Sequence, residues 1–355
     1  MIKIKVNLGE RSYPILIGHG LIDALGFEIA KYLKNKKFML ITDTIVNKLY
    51  SLGVMKSLKE NGLSVNLAVI PAGEKYKNIE QAKIIYKECI KNELHRDSGI
   101  IALGGGVISD LAGFAAATYM RGVPLVNIPT TLVGQTDAAI GGKTGINFEA
   151  KNIIGSFYQP KLVIIDPNFL KTLPEKEIKN GLAEIIKYSV IKDANLFRFL
   201  ERNKQNIMEL DRNSLLKVIS RCCLIKARIV EKDEKENNVR AILNYGHTIG
   251  HAIEKVSGYS ILHGEAVAAG MLIEARIARL LNLIDEKSEM RIENLIKKYN
   301  LISKIKIKKQ SILKAIQLDK KIVRERTRFV LPVKIGKVCI TPAPPWAVER
   351  VLEQY

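Results

Sequence analysis

SGIIALGGGVISDLAGF, running from Ser98 to Phe114, reads as an apolar strand that enters three glycines, Gly104 to Gly106, after which Ser109 or Asp110 opens a helix. Glycines let a backbone approach a ligand closely, and the free amides and partial positive charge at a helix N-terminus favour a pyrophosphate. The spacing departs from G-x-G-x-x-G, so tight strand-to-helix packing is the competing reading.

Outward from this stretch the same alternation repeats. Short apolar runs, KFMLITD, SVNLAVIP, PLVNIP and KLVIID, are separated by helical periodicity around Ile45 to Asn61, Ile79 to Asn92 and Ser109 to Thr118. Parallel strands need helical crossovers that cover both sheet faces, so the pattern predicts a largely parallel α/β sheet. Upstream, the alternating residues Ile2 to Leu8 and Tyr13, Ile15 and Ile17 predict an opening β-hairpin. Beyond Pro167 helical periodicity takes over through EKEIKNGLAEIIKYSVI, ANLFRFLERNKQNIM, SLLKVISRCCLIKARIVEK and HGEAVAAGMLIEARIARLLNL. TRFVLPVKIGKVCI interrupts it with two short strands about Ile335 and Gly336, and PPWAVERVLEQ supplies a last helix with proline near its start. A chain of 355 residues exceeds what one core serves well. Two domains are expected, an α/β domain over 1–170 and a mainly α-helical domain over 171–355.

Composition narrows the function classes. Apolar residues make up 47% of the chain, enough for two cores. Cys89, Cys222, Cys223 and Cys339 show no C-x-x-C spacing, which fits a reducing cytoplasm. The opening MIKIKVNLGERSYPILIG lacks the apolar core of a signal peptide, and no stretch reaches membrane-span length. The formal charge of +20 is high. Its lysines lie scattered along amphipathic stretches such as ENLIKKYNLISKIKIKKQ with few aromatics between them, the look of solvated helix faces rather than a nucleic-acid surface.

Polar groups gather where strands end. Asp43 closes KFMLITD, where a carboxylate reaches ribose hydroxyls or caps a helix. PAGEKYKN brings Glu74 and Lys77 after the next strand, and NIPTTLVGQTDAAIGGKTGIN brings Thr130, Thr131, Asp137 and Lys143 after another. GGKT at 141–144 is not a P-loop, because Asp137 occupies the leading glycine's position. Lys143 still suits an anionic group, with Lys151, Asn152 and Arg121 close in sequence.

Three of the five histidines, His247, His251 and His263, fall in LNYGHTIGHAIE and ILHGEAVAAG. Neutral imidazole is the commonest metal ligand, and catalytic metals take three protein groups and keep a position open. His247 and His251 share a helix face. No glutamate separates them in the H-E-x-x-H manner, so a zinc-protease mechanism is unsupported. In TLPEKEIKNGLAEIIKYSV a helix begins near Pro174 and places Glu184 and Lys187 on one face with apolar flanks. Glu184 is the leading carboxylate ligand, while the residues leave open which histidines join it.

LGGGVISDLAGF, YMRGVPLVNIPTTLVGQTDAAIGGKTGIN, KNIIGSFYQP, FLKTLP, NGLAEIIK, LNYGHTIGHAIE and HGEAVAAGM, in this order, resemble the 3-dehydroquinate synthases of the sugar-phosphate cyclase superfamily. The resemblance implies a Rossmann-like NAD-binding α/β domain followed by a mainly helical metal- and substrate-binding domain. It also implies conversion of 3-deoxy-D-arabino-heptulosonate 7-phosphate to 3-dehydroquinate and phosphate, with NAD and a divalent zinc or cobalt ion. Its metal ligands fall on Glu184, His247 and His263, with His251 beside them. Its NAD positions fall on Asp43, Glu74, Lys77, Gly105, Gly106, Val107, Asp110, Thr130, Thr131, Lys143, Lys151, Phe169 and Thr172. Its substrate positions fall on Asp137, Lys143, Asn152, Lys187, Arg240, Asn244 and His251, with Arg121 reaching a neighbouring subunit's phosphate site, which implies a homodimer. A further phosphate contact is expected from the two basic positions of Asp319 to Lys321 or from Arg328. Two departures stand out: the loop NFEAKN is one residue shorter than the family's segment, and Ser109 stands where glycine is frequent. A sister cyclase acting on another sugar phosphate and a metal-dependent alcohol dehydrogenase are the alternative enzymes.

Overall fold

The apolar runs form the sheet they predict. The computed structural model describes residues 1–302, 310–316 and 328–354. By packing, the chain divides into two compact units, 1–173 with 215–235, and 174–214 with 236–355.

The first unit is built on seven strands: β1 (Ile2–Val6), β2 (Tyr13–Ile17), β3 (Lys37–Asp43), β4 (Ser64–Ile70), β5 (Gly99–Gly104), β6 (Leu125–Pro129) and β9 (Leu162–Ile165). Their spatial order is β1-β2-β9-β6-β5-β3-β4. β1 and β2 pair antiparallel as the expected hairpin, and every other pairing is parallel. Central strands carry apolar residues on both faces. Met39 and Ile41 pack on one side with Ile85, Leu111 and Ala115. Phe38 and Leu40 pack on the other with Ile29, Val54 and Leu58. That double burial is why these strands read as continuous apolar runs.

The chain runs from β3 outward to β4 and then returns to the other side of β3 to make β5. The order therefore reverses between β3 and β5, which pair through Thr42 and Leu103. In open α/β sheets ligands bind outside the carboxyl ends of the strands at such a reversal. Asp43 and the three glycines are the residues that sit there.

Two differences from the sequence expectation have local causes. The helix after β5 spans Gly106–Thr118, so it starts inside the glycines rather than at Ser109 or Asp110. Gly104 has no room for a side chain, since a Cβ would lie 2.5 Å from Ile108 Cγ1. A second hairpin, β7 (Lys143–Phe148) with β8 (Ala150–Phe157), lies outside the main sheet and was not expected. Its turn at Glu149 has φ +58°, and Asn152 has φ +55°.

The second unit is mainly helical. Helices Glu175–Lys192 and His263–Leu280, 18 residues each, form its interior. The stretch ANLFRFLERNKQNIM makes two helices, Ala194–Arg202 and Lys204–Met208, because the Asn203 side chain donates to Phe199 O (2.8 Å) and ends the first. The expected late hairpin is β10 (Arg328–Lys334) with β11 (Lys337–Pro342), and the Gly336 amide at its turn donates to Val190 O (2.8 Å). Pro345–Gln354 is the last helix. Asp319 to Lys321 and the lysine-rich 303–309 lie outside the described residues. Arg328 opens β10 and is exposed. Among the described residues no helix is long and apolar enough to cross a membrane.

Candidate functional site

In the second unit the middle of one helix and the first residues of two others come together. Glu184 comes from the middle of Glu175–Lys192, His247 is the first residue of His247–Val256, and His263 is the first residue of His263–Leu280. Glycines set the spacing. A Cβ on Gly270 would lie 2.0 Å from Gly246 O, one on Gly250 would lie 3.1 Å from Ala266 O, and one on Gly264 would lie 2.6 Å from Asn180 Cα. Backbone thus meets backbone on both sides of His263–Leu280. Gly246 itself needs the left-handed conformation, φ +80°. The Asn180 side chain, one turn before Glu184, accepts the Gly264 amide at 2.5 Å and fixes where the His263 helix begins.

Glu184 Oε1 lies 3.4 Å from His263 Nε2 and 3.6 Å from His247 Nε2. Ligand atoms of all three residues fall within 4.8 Å of one another. A tetrahedral zinc with bonds of about 2.0–2.2 Å places its donors about 3.3–3.6 Å apart, so both Glu184–histidine separations match what such an ion requires. The other carboxylate oxygen of Glu184 pairs with Lys187, and both residues are buried. They are not the exposed ion pair that their three-residue spacing also permitted.

The protonation of His247 fits the same use. Burial first, then the nearby Lys187 charge, pushes His247 down to about 3 and keeps it neutral. Its Nδ1 lies 3.1 Å from Tyr245 O, which makes Nδ1 the protonated nitrogen and leaves the Nε2 lone pair facing Glu184. Burial opposes charge on His263, yet the hydrogen bonds it donates to Glu184 and Glu254 outweigh it and raise its pKa to about 9, so an ion bound there displaces a proton from His263.

A second group, His251, Glu254 and His263, also has metal-ligand spacing. It shares His263 but uses the opposite nitrogen: Nδ1 lies 3.3 Å from the buried Glu254 Oε2. A carboxylate on the far nitrogen of a ligand histidine is what orients such ligands. The Glu184 group is therefore the stronger candidate for a metal centre, with Glu254 behind His263 and the exposed His251 alongside. Arg240 and Asn244 lie on the short helix Val239–Asn244 that leads into Gly246, and Arg240 is fully buried. Asn244 donates to Glu236 (3.2 Å).

The first unit gathers a different set. Among the described residues no side chain caps the helix starting at Gly106, and Gly105, Gly106 and Val107 are partly exposed. A Cβ on Gly105 would lie 2.9 Å from Thr131 Cγ2, and one on Gly106 would lie 3.3 Å from Ala138 Cβ. The glycines thus serve close packing and leave donors available for an anion at once. Asp43 caps the helix that follows β3, with Oδ1 accepting Ile45 N (2.8 Å) and Val46 N (3.0 Å).

Beside the turn, the buried Lys77 Nζ lies 3.0 Å from Asp110 Oδ2, 2.6 Å from Asn152 Oδ1 and 3.2 Å from Glu74 Oε1. Burial disfavours its charge, but Asp110 and Glu74 override that and raise its pKa above the ordinary lysine value. Four residues from three separate motifs meet here. Asn147, the last residue of NIPTTLVGQTDAAIGGKTGIN, ties them: its backbone amide donates to Lys77 O (2.7 Å), its side chain to Glu74 (2.9 Å), and its Oδ1 accepts Asn152 N (3.0 Å).

Asp137 is paired with Lys226, whose Nζ also reaches Asp137 O at 2.7 Å. Lys226 was missed, because within SLLKVISRCCLIKARIVEK it reads as one more helix lysine; only its burial sets it apart. The buried Gln135, equally missed, donates to Pro129 O (3.2 Å) and Asp166 O (2.9 Å) and fixes the loop that carries Thr130 and Thr131. Thr131 Oγ1 accepts Gly134 N at 3.1 Å. Phe169 is buried against Tyr50, whose hydroxyl engages Thr172, so the main chain is what Phe169 offers a ligand. Lys143, Lys151 and Arg121 are exposed.

Comparison with known proteins meets this geometry. Family models described as 3-dehydroquinate synthase N-terminal and C-terminal match residues 67–180 and 181–322. A 3-dehydroquinate synthase of Desulforamulus reducens is 49% identical over 341 residues, 95% of each chain. Among solved structures, 2-epi-5-epi-valiolone synthase from Streptomyces hygroscopicus subsp. jinggangensis, with NAD+ and Zn2+ bound, superposes with TM-score 0.89 at 29% identity, covering 98% of each chain. A 2-deoxy-scyllo-inosose synthase complexed with carbaglucose-6-phosphate, NAD+ and Co2+ superposes with TM-score 0.92 at 25% identity, covering 99% of this chain and 100% of the other.

Proposed function

The chain belongs to the 3-dehydroquinate synthase family, and from that membership we propose that it converts 3-deoxy-D-arabino-heptulosonate 7-phosphate to 3-dehydroquinate and phosphate. The observation that carries this reading is 49% identity sustained over 95% of both chains with a relative of that name. The reaction is a transient oxidation, phosphate β-elimination, re-reduction and intramolecular aldol closure. When bound, NAD takes up and returns the hydride, and the divalent zinc or cobalt ion polarises substrate hydroxyls.

Glu184, His247 and His263 hold the ion in this reading, supported by donor spacings of 3.4 and 3.6 Å and by the neutral His247. The unit containing the parallel sheet takes NAD, with the glycine turn at the pyrophosphate and Asp43, Glu74, Lys77 and Asp110 around it. The helical unit takes the metal. Lys187, Arg240, Asn244 and His251 of the helical unit orient substrate hydroxyls and carboxylate, and Asp137, Lys143 and Asn152 of the sheet-containing unit are substrate positions as well. Burial of Lys187 and Arg240 suits groups that hold a charged substrate without competition from water.

A homodimer in which Arg121 serves a neighbouring copy's phosphate site is part of the proposal. Supporting it, Met120 and Arg121 have φ of +51° and +65°, a strained pair that holds an exposed arginine outward. The β7–β8 hairpin also exposes Phe148, Ile153, Ile154 and Phe157. A reducing cytoplasm fits the free cysteines, of which Cys89, Cys222 and Cys223 are buried.

The test is incubation with NAD, Zn2+ or Co2+ and 3-deoxy-D-arabino-heptulosonate 7-phosphate. Equal phosphate and 3-dehydroquinate without net NADH, abolished by chelation, is the expected result. Phosphate release only from a different sugar phosphate would move the function to a sister cyclase, and accumulating NADH would move it to a dehydrogenase.

A further inference from the structure

Glu274 is a fully buried carboxyl group, its pKa pushed well above the usual carboxylate range by burial, that the reaction above does not use. It lies on His263–Leu280, one turn beyond Gly270, where the absence of a side chain brings that helix against Gly246. Glu274 Oε2 accepts the Gly246 amide at 2.6 Å. That amide and the Tyr245 carbonyl belong to one peptide unit, and the carbonyl accepts from His247 Nδ1 at 3.1 Å. The Tyr245 hydroxyl donates to Met271 O (2.9 Å), which pins the same segment from its other end. The path is continuous: carboxyl group, peptide N–H, peptide C=O, imidazole Nδ1, and then the Nε2 lone pair facing Glu184.

We propose that Glu274 is a positioning residue for the metal centre, acting on His247 through the Tyr245–Gly246 peptide. An acceptor oxygen on the N–H side of a peptide makes its carbonyl a stronger acceptor, because hydrogen bonds in a chain polarise one another. A stronger acceptor holds the imidazole in the Nδ1–H tautomer, fixes the ring plane and raises the basicity of Nε2. The two histidine ligands are then supported in parallel ways. Glu254 sits directly behind His263 at 3.3 Å, while Glu274 reaches His247 through one peptide. The N-terminus of His247–Val256 has no cap from its own sequence, since Gly246 is the N-cap and carries no side chain. A cap from another helix ties the position of His247 to the helix that bears His263. Their mutual distance then depends on packing within one helix pair.

This inference rests on His247 being a metal ligand, so the experiment separates the two claims. Metal-free protein is titrated with Co2+ alone, reading its visible d–d absorption and dissociation constant, with NAD affinity measured alongside. Wild type is expected to bind one Co2+ and His247→Ala to lose it. No Co2+ in wild type, or full binding by His247→Ala, would sink the ligand assignment itself. Given that assignment, Glu274→Met, which keeps the volume and removes the acceptor, is expected to weaken Co2+ about 10–100-fold, the usual effect of losing a ligand's supporting group. Its d–d spectrum changes, turnover is recovered at high Co2+, and NAD affinity is unchanged. Glu274→Gln, which keeps an acceptor oxygen in place, is expected to stay within about threefold of wild type, while Glu274→Asp, which withdraws the carboxyl group by about 1.5 Å, loses about tenfold. A folded Glu274→Met with wild-type Co2+ affinity and spectrum would overturn the proposal. Should the methionine chain not fold, equal Co2+ binding by the Asp and Gln variants would overturn it.

Discussion

The first unit presents a ligand with main chain and loop ends: three glycines, uncapped amides at Gly106, and side chains that each follow a strand. The second presents side chains from three helices, Glu184, His247 and His263, spread over 80 positions of sequence and brought within 4.8 Å. The difference lies in what holds the geometry. A strand-to-helix turn is local, so its shape follows from residues 99 to 114 and the carboxyl ends of the strands beneath them. The Glu184–His247–His263 triad has no local definition; it exists because Gly246, Gly250, Gly264 and Gly270 let three helices touch through backbone. A site of the first kind degrades gradually under substitution, whereas one of the second kind loses function with a single ligand or a single added methyl.

The sharpest way to break this contrast is His263→Ala. It is expected to abolish bound metal, read by elemental analysis, and turnover together, while NAD affinity stays at the wild-type value. Retained metal would mean that the triad is not the centre.

Gly270→Ala comes next. Its Cβ would lie 2.0 Å from Gly246 O, a backbone atom with no rotamer to yield. Thermal denaturation should show a loss of about 3 kcal/mol, the upper part of the range for overpacking. Metal affinity should fall with it, and a variant as stable as wild type would deny that backbone contact sets the triad.

Gly105→Ala tests the other region and should do less. Here the obstacle is a side-chain atom, Thr131 Cγ2 at 2.9 Å, which can move. Stability is expected to drop by about 1 kcal/mol and NAD affinity by about tenfold, with metal binding untouched. Adding Thr131→Ser removes the methyl and should return the stability but not the NAD affinity. Recovery of both would reduce the glycine to packing alone.

Asp193→Ala is the smallest. Asp193 caps Ala194–Arg202 by accepting from the Asn195 and Leu196 amides, each at 3.0 Å. Its loss should cost about 1 kcal/mol of stability and leave metal and NAD affinities unchanged.

The same contrast explains what could be read in the sequence. The parallel strands were legible because both of their faces are buried, and the glycine turn because it is contiguous. The three histidines were visible as a cluster, and Glu184 as a carboxylate among apolar neighbours. Which nitrogen faces which carboxylate was not visible, because that depends on how His263–Leu280 packs on the other two helices. Lys226 and Asn147 were missed for a related reason. Each becomes part of the site only through a partner far away in the chain, Asp137 for Lys226 and Glu74 with Lys77 for Asn147. The β7–β8 hairpin was missed because β8 is exposed along most of its length and so shows no inside-outside alternation.

The most direct measurement is a titration of metal-free protein with Co2+ in the presence of NAD and 3-deoxy-D-arabino-heptulosonate 7-phosphate, following 3-dehydroquinate. Turnover that rises linearly to one equivalent of Co2+ per chain and then stops, with His263→Ala flat throughout, is the predicted result. Full turnover without added metal, or a His263→Ala protein that responds like wild type, would contradict the account.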